Sequence, residues 1–157
     1  MIEKFDVKKA AEKISQAVIN TFQDMAFIET VKIPKPGQDV KSENILGIDI
    51  IKPLSSKIIM IFSDSLKEKI IMNVLSSGNF MYQEEQKTDI ALEMLNIIAG
   101  NFIMGYFDNK ENYKMEPPHT LVRTHEGPVG NAENLDLYFN AEDEIVKVTF
   151  KTVRYIY

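Results

Sequence analysis

A glutamate and an asparagine three positions apart are the residues best suited to act on a partner. Glu93 and Asn96 lie in the apolar segment 88–107, TDIALEMLNIIAGNFIMGYF. At about 100° per residue, a helix would place both on one side with Asp89 and Gly100, within roughly 60° of arc. Most of the remaining circumference is Ile, Leu, Met, Ala and Phe. The pattern predicts a helix that is packed on most sides and presents a carboxylate and a carboxamide to another molecule.

The narrowness of this polar stripe distinguishes it from a routine surface helix. An arbitrary Glu-x-x-Asn pair most often belongs to a broad solvent face, which is the alternative interpretation here. Gly100 costs about 1 kcal/mol relative to alanine inside a helix, and a glycine in line with the polar groups lets another backbone approach closely. A carboxamide can donate and accept hydrogen bonds, which suits the orientation of a water molecule. A neighbouring carboxylate can anchor a docked cation.

The segment from Asp89 to Asn101 resembles a known family. The run Asp-x-x-x-Glu-x-x-Asn is continued by Ile-Ile-Ala-Gly-Asn and followed, some twenty residues on, by Pro117-Pro118. This resembles the signature of the CheC/CheX/FliY phosphatases of bacterial chemotaxis. The order of predicted elements agrees with that family along most of the chain. The length and the lack of an appended domain are most similar to CheX.

The resemblance implies a role for each residue of the stripe. In this family the motif helix docks on a phosphorylated CheY-like receiver domain, which supplies its own Mg²⁺ and active-site lysine. Asn96 would position the water that attacks the aspartyl phosphate, and Glu93 would pair with the receiver lysine. Asp89 would support docking, together with Gly100. The chain would then need no metal or cofactor of its own, and a homodimer is implied as well.

Two non-catalytic alternatives stay open at this point. One is a docking module related to the flagellar switch proteins, which binds a receiver or a switch partner without turnover. The other is an accessory protein that keeps only the fold. Exposure of Glu93 and Asn96 favours catalysis, whereas burial of Asn96 would favour the inert alternatives. CheC-type members carry a second motif on the first helix, where this chain has Glu12-x-x-Ser15, so one site per chain is expected.

Composition limits the classes of function. The 157 residues suit a single domain over 1–157. The net charge of −5, without a dense Lys/Arg cluster, disfavours nucleic-acid binding. The absence of cysteine excludes disulfides, thiol catalysis and thiolate metal sites. No signal-peptide core or uninterrupted apolar span is visible, so a cytoplasmic protein without membrane segments is expected.

Hydrophobic periodicity predicts the elements that must position the stripe. The expected helices cover about 7–27, a segment capped by Ser63 or Asp64 and ending near Leu75, and the stripe helix, which begins between Glu84 and Asp89 and ends near Phe107. The expected strands are 44–51, 57–62, 120–126, 135–139 and 145–153. Together these elements predict an α+β layered domain, in which a mainly antiparallel sheet is packed by long helices.

Three further groups of residues are given structural interpretations. His119 immediately precedes the predicted strand 120–126 and His125 lies near its end, but the segment between them offers no convincing further metal ligands. Glu142-Asp143-Glu144 lacks the ligand spacing of a calcium loop and is predicted to form a polar hairpin turn. The eight methionines are expected to serve mostly in core packing.

Overall fold

The computed structural model describes residues 5–75, 84–107, 112–122 and 132–153. Within these ranges the chain forms three helices and seven strands. In chain order they are α1 (Val7–Ala26), β1 (Thr30–Ile33), β2 (Asn44–Lys52), β3 (Ser56–Phe62), α2 (Asp64–Leu75), α3 (Glu84–Tyr106), β4 (Lys114–Met115), β5 (His119–Thr120), β6 (Ala132–Ala141) and β7 (Glu144–Val153).

The seven strands form one sheet in the order β1-β6-β7-β3-β2-β4, with β5 also paired to β2. Every pair is antiparallel. Alternate residues of the central strands are buried, as in the run Leu46, Ile48 and Ile50 of β2, because one face of the sheet packs against the helices. All three helices contribute to this single hydrophobic core. The predicted α+β layered domain with a mainly antiparallel sheet is confirmed.

The strand order reveals two interlocked halves. In the first half α1 precedes β1, β2 and β3, and in the second half α3 precedes β4, β5, β6 and β7. Strands β3 and β7 lie side by side at the centre of the sheet. The short strands cross over, because β1 pairs with β6 whereas β4 and β5 pair with β2. Each half therefore completes the sheet of the other.

Local hydrogen bonds explain where two helices begin. The Asp6 side chain accepts a hydrogen bond from the Lys9 backbone N–H at 3.1 Å and caps α1. The Ser63 hydroxyl accepts a hydrogen bond from the Leu66 N–H at 3.1 Å and caps α2, as the sequence predicts. Helix α1 ends at Ala26, and its C-cap residue Phe27 takes the left-handed conformation with φ of 54°.

The long predicted elements are confirmed, as is the polar turn between β6 and β7. That turn consists of Glu142 and Asp143, whose φ values of 49° and 66° suit a two-residue hairpin connection. The predicted strand 120–126 is wrong at Leu121 and Val122, since β5 covers only His119–Thr120. The Leu121 N–H still donates to the Ile45 carbonyl of β2 at 2.8 Å, but regular pairing with β2 is limited to His119 and Thr120. Residues 123–131, which include His125, lie outside the described residues.

Candidate functional site

Helix α3 turns its polar stripe away from the core. Asp89 and Glu93 are exposed, while Asn96 and Gly100 are partly exposed. The other sides of the helix are packed between the sheet, α1 and α2. The residues that anchor α3 in this way are Ala91, Met94, Leu95, Ile98, Ala99, Phe102 and Ile103, each at most 2% exposed. The four residues singled out in the sequence therefore share one accessible face of a buried helix.

The functional groups of the stripe are unengaged within the described part of the chain. Neither the Glu93 carboxylate nor the Asn96 carboxamide has a hydrogen-bond or ion-pair partner among the described residues. Side chains three positions apart on a helix have Cβ atoms about 5–6 Å apart. A carboxylate and an amide at that spacing can reach into the same small site on a partner.

Gly100 has open space where a side chain would stand. A Cβ placed on Gly100 would meet no described heavy atom within 4 Å, outside its own helix backbone. The contrast is Gly105, one turn further on, where a Cβ would lie 3.3 Å from Cδ of Lys13. Packing between α1 and α3 therefore accounts for a small residue at Gly105. The described contacts offer no such reason for Gly100.

The first turns of α3 are tied to α2. Lys67 is only 8% exposed, and its Nζ donates to Oγ1 of Thr88 at 3.2 Å. Nζ of Lys87 lies 2.8 Å from Oε1 of Glu68. A buried lysine is uncommon and requires polar partners. These bonds fix the backbone immediately before Asp89.

The last turn of α3 is held by aromatic packing and by α1. Tyr106 contacts the rings of Phe5 and Phe102, with centroid distances of 5.7 and 5.6 Å. Its hydroxyl accepts a hydrogen bond from the Asp6 N–H at 3.0 Å, and Lys9 places its amine 4.9 Å from the ring centroid. Because both ends of α3 are fixed, Glu93 and Asn96 stand on a rigid element, as a preorganised site requires.

The equivalent position on α1 does not form a second site. Ser15 is 8% exposed, and its hydroxyl has no hydrogen-bond partner among the described residues. Glu12 is exposed and accepts a hydrogen bond from Nε2 of Gln16 at 3.4 Å. Helix α1 therefore presents a carboxylate without the neighbouring polar group that the stripe on α3 has.

The structure adds one residue that the sequence analysis did not select. Met104 is 46% exposed on α3, although the methionines were expected to serve mostly in packing. Met60 and Met94 follow that expectation at 0% exposure, and Met72 on α2 departs from it at 72%. A helical wheel drawn one turn beyond Gly100 would have placed Met104 on the same side as Glu93.

The geometry gives little support to other kinds of functional site. Nδ1 of the partly exposed His119 lies 3.5 Å from the Pro117 carbonyl oxygen. No three His, Asp or Glu side chains of the described residues are arranged to hold a metal ion. None of the described helices combines the length and apolar character needed to cross a membrane.

Solved structures of chemotaxis proteins share this arrangement of helices and sheet. CheX from Vibrio vulnificus has a TM-score of 0.72 and 15% identity, covering 90% of this chain and 97% of that chain. A chain of the CheX-CheY-BeF₃-Mg²⁺ complex from Borrelia burgdorferi has a TM-score of 0.70 and 19% identity, covering 97% and 100%. FliY from Thermotoga maritima has a TM-score of 0.61 and 11% identity, covering 97% and 92%.

These comparisons define the protein at the level of its fold. No family model matches the sequence, and the comparison with curated proteins gives no match. The chain is an α+β protein with an exposed polar stripe on its central helix. Its fold is that of CheC/CheX-like proteins, with CheX prominent among its structural neighbours. The resemblance indicated by the Asp89–Asn101 segment is thus confirmed for the fold.

Proposed function

We propose that this chain is a phosphatase that docks on a CheY-like receiver domain and hydrolyses its aspartyl phosphate. One observation carries the proposal: Glu93 and Asn96 are accessible and unengaged, side by side on a helix fixed at both ends. The fold adds support, because a chain of similar structure occurs in a CheX-CheY-BeF₃-Mg²⁺ complex. The proposed pathway is chemotaxis or another two-component system.

The proposed hydrolysis requires that a water molecule be positioned, and it does not require a nucleophile from this chain. The carboxamide of Asn96 holds a water molecule in line with the phosphorus–oxygen bond of the phosphoaspartate. The water oxygen bonds to phosphorus as that bond breaks, which yields inorganic phosphate and the free receiver carboxylate. The receiver supplies the Mg²⁺ and the lysine that stabilise charge on the phosphoryl oxygens. Holding the water in place reduces the entropic part of the barrier.

Glu93 sets the docked pose in this proposal. Its carboxylate pairs with the receiver lysine in a charge-assisted hydrogen bond. The i, i+3 spacing then places Asn96 beside the phosphoryl group while Glu93 holds the lysine. Asp89 supports docking from one side along the helix, and Gly100 permits close approach from the other.

The test follows the loss of phosphate from phosphorylated receiver domains of the same organism. Wild type is expected to accelerate the loss, and Asn96→Ala to reduce that acceleration on the order of 10²-fold, because one preorganised polar group is lost. Glu93→Ala is expected to weaken docking as well as turnover. Asn20→Ala, at an exposed asparagine on α1, is the matched control and is expected to behave as wild type. Equal rates for wild type and Asn96→Ala would contradict the assigned role of Asn96.

A non-catalytic docking module is the alternative with some support. The fold is also similar to that of the FliM middle domain, and in this alternative the same stripe binds a receiver or a flagellar-switch partner without turnover. The same assay separates the two functions when it is combined with a binding titration. A docking module would bind the receiver without shortening the lifetime of its phosphate.

A further inference from the structure

The polar stripe of α3 ends in an exposed methionine. Met104 lies eleven residues after Glu93, which is about three helical turns and leaves the two side chains only about 20° apart around the axis. The axial separation is about 16 Å. Between them lies Gly100, above which a side chain would meet no described atom within 4 Å. The accessible face of α3 is thus acidic at its start, has an amide at its centre and is apolar at its end.

Met104 falls inside the area that a docked domain would cover. A standard interface buries about 800 Å² per partner, which corresponds to a disc of roughly 16 Å radius. Met104 is eight residues from Asn96, or about 12 Å along the axis, and Asp89 is about 10 Å away in the opposite direction. A partner centred on Asn96 therefore covers both ends of the stripe.

We infer that Met104 is an affinity-determining contact for the same receiver domain on which Asn96 acts, a role that rests on the proposed function. Its thioether packs against an apolar side chain at the edge of the receiver's active-site face. Three observations support this occupant: the contact is continuous with the polar stripe, Gly100 leaves room for approach, and Met104 is the exposed apolar end of an otherwise polar face. Methionine is enriched at interfaces and adapts to irregular apolar partners.

This contact sets the orientation of the docked partner as well as its affinity. An acidic end and an apolar end, separated by the amide, make the stripe asymmetric along the helix. A receiver that docks in the reverse direction would place a charged group against Met104 and an apolar group against Asp89. Desolvating those groups without partners would disfavour the reversed complex.

The test compares Met104→Gln with Met72→Gln. Glutamine keeps the length of the side chain but removes its apolar end, and Met72 supplies a matched exposed methionine on another helix. Met72 and Met104 lie near opposite ends of α1. The side chain of Asn73, next to Met72, donates to the carbonyl of Ala26 at the end of α1. Tyr106, two residues after Met104, accepts a hydrogen bond from the Asp6 N–H at the start of α1. Binding is titrated with receiver domains carrying beryllium fluoride and Mg²⁺ in place of the phosphoryl group.

Met104→Gln is expected to raise the Kd for this receiver about five- to twentyfold. Only a minority of interface residues contribute that much to binding affinity. The KM of the phosphatase reaction should rise in parallel, with kcat and the melting temperature unchanged. Met72→Gln should leave every quantity unchanged. An unchanged Kd for Met104→Gln, or an equal increase for Met72→Gln, would overturn the inference.

The binding titration also separates the inference about Met104 from the proposed phosphatase activity. If wild type binds the receiver without accelerating phosphate loss, the phosphatase proposal fails, and the Kd of Met104→Gln still decides the role of Met104. If wild type accelerates phosphate loss and Met104→Gln matches it in KM, only the inference about Met104 fails. Absence of any receiver binding by wild type would overturn both.

Discussion

Single residues of α3 divide between those that pack the helix against the core and those that are exposed to solvent. Ile98 and Phe102 are essentially buried, whereas Glu93 is exposed and Asn96 partly so. The Glu93 carboxylate and the Asn96 amide lack hydrogen-bond partners among the described residues, so they do not help to hold α3 in the fold. Under the proposed function, a docked receiver domain supplies partners for this amide and this carboxylate.

Gly100 provides a prediction in which stability and function oppose each other. Gly100→Ala is expected to raise the free energy of unfolding by about 0.5–1 kcal/mol, because alanine is the better helix former and nothing described stands in its way. The same change should raise the KM for the phosphorylated receiver, since the added methyl group would stand between α3 and the docked receiver. Urea denaturation and phosphatase kinetics measure the two effects.

Gly105→Ala is the matched control for that substitution. A Cβ at Gly105 would lie 3.3 Å from the Lys13 side chain, so the gain in stability should be smaller, and the change should leave KM as in wild type. A stabilised Gly100→Ala variant with the KM of wild type would show that close approach is not the reason for glycine at this position.

The polar residues of the stripe could be predicted from the sequence, whereas the exposure of Met104 could not. Helical periodicity places Asp89, Glu93, Asn96 and Gly100 on one side because that relation is local. Met104 obeys the same period, but a methionine at a helical position is usually packed inside. Its exposure depends on where the neighbouring elements stop covering α3, which is a tertiary property.

At the scale of elements, a polar cluster joins the start of α2 to the start of β7. The hydroxyl of Ser65 lowers the pKa of Glu144 most strongly, burial opposes this, and the Ser63 hydroxyl together with the charges of Lys69 and Lys41 lowers it further. Ser63 donates to Oε2 of Glu144 at 3.0 Å while it also caps α2. The carboxylate of Glu144 therefore favours the folded state when it is ionised.

The lowered pKa of Glu144 gives a pH dependence of defined sign. A carboxyl group whose folded pKa lies below its unfolded value adds stability above the unfolded value, and that stability is lost as the pH falls through the folded pKa. Glu144→Gln should cost about 1 kcal/mol at pH 7, the net contribution of a typical hydrogen bond in a partly exposed setting. It should also lose less stability than wild type as the pH falls below about 4.5.

Chemical denaturation of wild type and Glu144→Gln at pH 7 and at several values below 4.5 measures this effect. Glu142→Gln, in the exposed turn next to the cluster, is the control and should follow the wild-type pH profile. Parallel profiles for wild type and Glu144→Gln would show that the cluster does not couple Glu144 ionisation to folding.

The elements that the sequence predicts are those with enough residues to show a period. Helices α1 and α3 span five turns or more, and β7 has ten residues. Strands β1 and β4 are not predicted, because four and two residues do not show an alternation. They are strands because β1 pairs with β6 and β4 pairs with β2. Pairing between distant segments cannot be recognised from the local sequence.

At the scale of the whole molecule, the two halves form one sheet by exchanging their short strands. Contacts between β1 and β6 and between β2 and β5 join segments far apart in the chain. The α+β class follows from local patterns, but the strand order does not, because it depends on these distant pairs. The exchange also means that neither half has a complete sheet alone. Each should fail to fold as a separate fragment.

The homodimer stays a prediction at this scale. The resemblance to CheX implies association through the sheet, whose face away from the helices carries the partly exposed Ile59 and Ile61 of β3. Sedimentation equilibrium of the purified chain should give twice the monomer mass. A monomer at all tested concentrations would contradict the prediction, and it would leave the site on α3 unaffected, because that site lies on the helical side of the sheet.

The decay of a phosphorylated receiver domain tests the central claim most directly. The rate constant for phosphate loss is measured for the receiver alone, with wild type and with Asn96→Ala, each at a concentration that saturates binding. Wild type is expected to shorten the phosphate lifetime, and Asn96→Ala is expected to lose on the order of 10²-fold of that effect while it still binds. A phosphate lifetime unchanged by saturating wild type, for every receiver of the organism, would contradict the account.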